Sequence, residues 1–249
     1  MAVNDIFNDK EKASYLDAVY LGFITTYSLS IDYHQKIGSK LYGALLDGWG
    51  KIGFSDLETE ILAGLTNNIY VFSAAKQYQQ VRQMSKLIKE NTTAKEFKEL
   101  ANEIFDDYNS NYLRTEVDTA IAQSQNARKW AKIQAEKEIF PLLKYKTQQD
   151  GLVRDSHAEL NNIVKPVNDP FWDNNMPANG WNCRCYVQQI EEGEISKDTP
   201  TLSEDDQPEL FRMNSGKDKI IFDPKKHPYF SISKGDADLK RNNFNLPVP

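Results

Sequence analysis

Apolar residues recur at intervals of three and four along the first part of the chain. Leu16, Val19, Tyr20, Phe23 and Tyr27 form one such run, the spacing of a single helix face. Two further helices are announced by capping boxes, "SDLE" at Ser55 to Glu58 and "TAKE" at Thr93 to Glu96. In each, a hydroxyl serves the N3 amide while the Glu reaches back to the cap. Phe97, Leu100, Ile104 and Tyr108 follow the second box on one face. A long helix is predicted from about 112 to 140, carrying Val117, Ile121, Trp130 and Ile133 and stopped by Pro141.

Beyond Pro141 the pattern changes to short runs bounded by turn residues. "LLKYKTQQDGLV" predicts a strand and then a turn at Asp150-Gly151. "DSHAEL" predicts one helical turn capped by Asp155. Asn161-Asn162 can take left-handed backbone geometry and open a second strand, "NNIVKPV". "NDPFWDNNMPANGWN" reads as a long loop, and "CRCYVQQI" as a closing strand. The expected fold class is therefore α+β, a mainly helical N-terminal part followed by a small α+β core with short antiparallel strands. Proline marks the same boundary: residues 9 to 140 hold none, and all ten lie beyond. The segment "GSKLYGALLDGWGKIGF", with five glycines, reads as a loop between helices. Residues 191 to 210 carry eight acidic side chains and one Lys, the signature of a solvated linker. The divisions expected are a helical region over 1–110, a core over 111–190, the acidic linker over 191–210 and a small folded tail over 211–249.

Net charge is −6, which gives no global field for nucleic acid. No run of 18 apolar residues occurs, so no membrane span is expected. The N-terminus lacks the basic start and apolar core of a secretory signal. With two cysteines, this points to a reducing compartment.

Both cysteines fall in "GWNCRC", which begins 23 residues after His157, one of three histidines. On a strand, Cys183 and Cys185 would share a face, too far apart for an unstrained disulfide. Three readings stay open. His157, Cys183 and Cys185 with Asp169 or a water would suit zinc. A thiol nucleophile with a His base is a second. The third is two small buried thiols in a core. His34 and His227 read as surface or core residues. Arg154 and Arg184 are candidates for structural pairing with Asp150, Asp155 or Asp169.

The run from Tyr145 to Ile190 resembles the phage Mu F-like head morphogenesis family, the minor head proteins. Asp150, Arg154, His157, Asp169, Phe171, Trp172, Pro177, Gly180, Cys183, Arg184, Cys185 and Val187 match that family's pattern in order. "RTEVDTAIAQSQNARKW" resembles the preceding helix, with Arg114, Thr115, Glu116, Asn126 and Arg128 in place. Asn161-Asn162 departs from the Asp-Gly common in relatives, though both pairs serve a tight turn. The resemblance implies a non-enzymatic protein beside the portal of a tailed phage or prophage, acting by binding in head assembly, DNA packaging or ejection. It implies the portal protein as partner, weak contact with phage DNA, scope for self-association, and a place in the virion head after assembly in the host cytoplasm. It also strengthens the reading of His157, Cys183, Cys185 and Asp169 as a structural zinc site. The alternatives are a zinc- or thiol-dependent enzyme or a toxin-associated module centred on His157, Cys183 and Cys185. Arg114, Arg128, Lys129, Lys132 and Lys137 share one predicted helix with Glu116, Asp118, Glu136 and Glu138. That mixture reads as a solvated face more than as a DNA-binding stripe.

Overall fold

The computed structural model describes residues 6–51, 55–200, 202, 203, 205 and 207–249. It is a helical protein with one small antiparallel sheet, the α+β class expected. Among the described residues no helix is long and apolar enough to cross a membrane. The helices of the first part are α1 (Asp9–Tyr20), α2 (Ile31–Trp49), α3 (Asp56–Ser85), α4 (Ala94–Asp106) and α5 (Leu113–Glu136). A π-helical stretch, Asp107–Tyr112, joins α4 to α5. Next come β1 (Leu142–Lys146), α6 (Asp155–Glu159), β2 (Val164–Pro166), α7 (Phe171–Asn175), β3 (Tyr186–Ile190), α8 (Ser215–Asp218) and α9 (Ala237–Arg241).

Two compact units share these elements. The first comprises Met1–Gly43, Asn67–Val117 and His227–Pro249; the second comprises Ala44–Thr66 and Asp118–Lys226.

In the first unit the 227–249 segment packs with the helices. Asn8 and Glu11 form a capping box at the start of α1, and Thr93 and Glu96 form the expected one on α4. Helix α1 stops at Tyr20, and Gly22 follows with φ +77°, a backbone that glycine adopts freely. Phe23 and Tyr27 therefore lie beyond the helix and are exposed, although their spacing extends its face. Tyr15 and Tyr33 stack with centroids 5.0 Å apart, and Phe105 of α4 meets Tyr15 edge-on at 5.7 Å. The C-terminal residues are tied down by polar bonds. His34 Nε2 lies 2.8 Å from the Pro247 carbonyl. Gln79 Nε2 donates to the carbonyls of Tyr229 and Ser231, and the Tyr78 hydroxyl donates to Asp236 at 2.6 Å. Burial pushes the pKa of His34 down, and that of His227 down to about 4.

The glycine-rich segment is helical as far as Trp49, the end of α2, which corrects the loop expected there; residues 52–54 lie outside the described part. Gly48 sits in the last turn of α2. A β-carbon there would stand 2.0 Å from Ser124 Oγ and 2.3 Å from the Ile121 carbonyl of α5. The glycine thus permits close backbone approach. Gly48→Ala is expected to cost about 1–3 kcal/mol through overpacking, read as a lowered urea midpoint at unchanged slope. The neighbouring Arg128 guanidinium donates to the Trp49 carbonyl at 2.8 Å.

The sheet of the second unit has the order β2-β1-β3, antiparallel throughout. Leu143 pairs with Lys165 and Gln189, and Tyr145 with Val187. Leu143, Tyr145 and Val187 point inward and are fully buried, while Lys144, Tyr186 and Gln188 are not. The inward set packs with Trp130 and Ile133 of α5, and with Leu160, Ile163, Trp172 and Met176. Three local expectations change. Helix α6 begins at Asp155 behind an uncapped Arg154. The loop after Asp169 contains the short helix α7. Strand β3 begins at Tyr186, so both cysteines precede it. Asn162 does adopt φ +70° at the turn into β2. The segment after the acidic stretch folds onto the same unit: Phe211 meets Trp181 edge-on at 4.8 Å, and Ser215 donates to Gln123 at 2.6 Å.

A candidate metal centre beside an open groove

His157 lies in the single turn of α6 and is almost wholly buried. Cys183 is half-buried and Cys185 buried, in the segment that leads into β3. His157 Nδ1 is 3.6 Å from the Cys183 sulfur and 3.7 Å from the Cys185 sulfur. All three donor atoms lie within 4.8 Å of one another. His157 Nε2 is buried without a hydrogen-bond partner, so the ring directs its polar contacts to the sulfurs.

Neighbouring residues hold this arrangement. Tyr145 on β1 donates its hydroxyl to Asn179 Oδ1 at 2.8 Å, and Asn179 Nδ2 donates to the Met176 carbonyl. Gln123 of α5 donates to the Ala178 carbonyl at 3.1 Å. The 178–185 segment is thereby fixed from both sides. Arg154 donates to the Trp181 carbonyl at 2.8 Å. Arg184 grips Asp150 through two bonds of 2.9 and 2.8 Å, and this bidentate contact lowers the Asp150 pKa.

The thiols behave as a pair. Interaction with Cys185, and after it with His157, lowers the pKa of Cys183 against the opposing effect of burial. Cys185 is raised in turn, chiefly by Cys183 and then by burial. The first proton leaves the pair readily and the second is retained.

The nitrogen–sulfur edges of the donor set suit a metal of zinc's size. With about 2.3 Å to sulfur and about 2.0 Å to nitrogen, a tetrahedral ion places N and S about 3.5 Å apart. The two observed separations, 3.6 and 3.7 Å, fit that edge. Asp169, the other expected ligand, is not in the group. Its Oδ1 instead accepts the Phe171 amide at 2.8 Å, which shapes the turn into α7.

Cys183 and Cys185 also line a groove of about 610 Å³. One wall is α5, through Asp118, Gln125, Asn126 and Lys129; the other includes Asn182 and Tyr186. The sequence reading did not single out Lys129 as a groove residue, Tyr145 or Asn179. Tyr145 entered only as part of the predicted strand "LLKYKTQQDGLV" and as the first residue of the family-like run. Asn179 gave no signal, because its role depends on tertiary contact.

A helical protein carrying a small α+β core, with a His turn and a C-x-C segment converging in that core, defines the class. A family profile described as "Phage Mu protein F like protein" matches residues 56–188, and the chain belongs to that family. The chain is 38% identical over 64 residues to "Putative capsid assembly protein F" of Escherichia phage Mu, covering 26% of this chain and 15% of that protein. It is 26% identical over 138 residues to "Mu-like prophage FluMu F protein" of Haemophilus influenzae, covering 54% of this chain and 33% of that protein. The matched stretches thus span a third or less of these relatives. No solved structure matches.

Proposed function

We propose that this chain is a minor head protein of a tailed phage or prophage and acts by binding rather than by catalysis. The observation that carries this reading is membership of the Mu F-like family, together with a relative named as a capsid assembly protein. The portal protein is the proposed partner, in head assembly, packaging or ejection. The helices supply contact surface for the portal or for further copies of the chain. The protein works in the virion head, after assembly in the host cytoplasm. DNA contact is weak and falls steeply with salt, because it rests on a few phosphate contacts among interleaved charges on α5. Residues 111–190 serve as the head morphogenesis core, and 191–210 as an acidic linker that repels DNA.

Within the core, His157, Cys183 and Cys185 hold a structural zinc ion in this reading. Two sulfurs and an imidazole favour zinc over harder divalent cations. Zinc would staple α6 to the segment before β3. Purified protein is expected to contain about one equivalent of zinc, lost together with stability in Cys183→Ser.

Co-expression with the portal protein of the same phage or prophage tests the main reading. The full chain is expected to co-purify with the portal, and a folded His157→Ala variant to support particle assembly. A second reading is favoured by the lowered pKa of half-exposed Cys183 beside His157. That arrangement suits a thiol enzyme. Loss of a hydrolytic or transferase activity in folded His157→Ala would install it in place of the binding role.

A further inference from the structure

We infer that the metal centre of the small core keeps one coordination position for an anionic donor that enters from the groove along α5. This rests on the metal reading above and concerns what that metal can bind. Among the described residues, the group of His, Cys, Asp and Glu donors contains three members and no fourth. A tetrahedral ion needs four. Tyr145 donates its hydroxyl to Asn179 at 2.8 Å.

The groove tells where a fourth donor would arrive. Both cysteines line it, whereas His157 does not, so the sulfur side of the cluster borders open space. A structural zinc with four protein ligands is closed, whereas a three-ligand site exchanges its fourth. The chemistry of the entering group follows from charge. Two thiolates neutralise a divalent ion, so the centre itself does not repel an anion. Lys129 lines the groove, with Nζ 5.3 Å from the centroid of the Tyr186 ring. Arg184 lines it as well, but Asp150 neutralises it. Asp118 stands on the opposite account, at the α5 wall. The side chains of Gln125, Asn126, Gln148 and Asn182 offer neutral hydrogen bonds. A small anion or a carboxylate, free or carried on a partner's side chain, fits this lining.

Cobalt(II) reports on both levels. The full chain is loaded with cobalt, which gives visible d–d bands and sulfur-to-cobalt charge-transfer bands when thiolates bind it. Thiocyanate and acetate are then titrated separately. Saturable shifts of the d–d bands, with the charge-transfer bands kept, are expected. Lys129→Gln is expected to weaken anion binding roughly threefold through loss of one nearby charge, with cobalt affinity unchanged. Bands that form but ignore both anions mean a closed site, which overturns this inference and leaves the metal reading standing. Absence of any cobalt bands in folded protein overturns the metal reading, and this inference with it.

Discussion

Glu116→Ala is expected to destabilise the protein by about 3–5 kcal/mol, the cost of stranding a buried charge. The stranded charge is that of Lys76, which is completely buried in the first unit. Its ammonium lies 2.8 and 2.7 Å from the two Glu116 oxygens. Tyr229 donates a further bond to Glu116 at 3.0 Å. The rings of Tyr108 and Tyr229 lie 5.5 Å from the ammonium, and these faces favour a cation. Burial pulls the Lys76 pKa down and Glu116 pulls it back up. Removing the carboxylate leaves only the first effect. The double replacement Lys76→Met with Glu116→Leu should cost far less than Glu116→Ala alone, since it strands no charge. Urea denaturation monitored by circular dichroism measures all of these. A loss below about 1 kcal/mol for Glu116→Ala would mean that water reaches the ammonium and that the pair behaves as a surface salt bridge.

The same cluster explains why part of the fold was hard to read. Helix α3 runs for 30 residues, yet only its capping box stood out in the sequence. Ile61, Leu65, Ile69 and Phe72 are buried, but so are Ser73, Lys76, Gln77 and Gln80 further along. A helix buried on several faces, with polar groups satisfied inside, loses the contrast that amphipathic periodicity depends on. On α4 the cap of Thr93 and Glu96 formed as read, but the inward face is Phe97, Ala101 and Phe105, one position on from the Leu100 and Ile104 expected, and Leu100 is exposed. The glycines of α2 misled for a related reason. Local propensity marks glycine as a breaker, while close contact with α5 at Gly48 makes it a requirement.

The candidate site was legible in its residues and less so in its geometry. The ordered motif brought out His157, Cys183 and Cys185, and the structure places them together. Asp169 satisfied the same spacing argument but serves a turn amide. A carboxylate ahead of Pro170 can cap a turn or bind a metal, and sequence spacing does not separate the two. The cysteines converge through a loop held by Gln123 and Asn179 rather than along a strand face, and such contacts have no periodic signature.

Trp172→Ala should be the most damaging change in the small core, at roughly 3–5 kcal/mol for a buried aromatic truncated to a methyl group. Trp172 is fully buried among the side chains that carry the sheet and Cys185. Its ring meets Phe171 edge-on at 4.8 Å. Its Nε1 donates to the Pro166 carbonyl at 2.9 Å, holding the end of β2. Its own carbonyl accepts from Asn214, which ties the segment capping α8 to the core. Truncation therefore opens a cavity and removes the indole bond to the end of β2, while the Asn214 bond to the backbone carbonyl stays. Trp172→Phe keeps most of the volume and loses the indole bond, but the Pro166 carbonyl keeps the Asp169 amide at 3.0 Å, so it should cost about 0.5–1.5 kcal/mol. Metal retention provides a second readout. Cys185 packs in the same cluster as Trp172, and a loosened support for a ligand weakens its metal by about tenfold or more. The Ala variant should release zinc to a chelator at lower concentration than wild type, with the Phe variant in between. Equal zinc retention in all three proteins, with the stability loss confirmed, would show that the ligands are held by the Tyr145–Asn179 and Gln123–Ala178 bonds without help from the tryptophan.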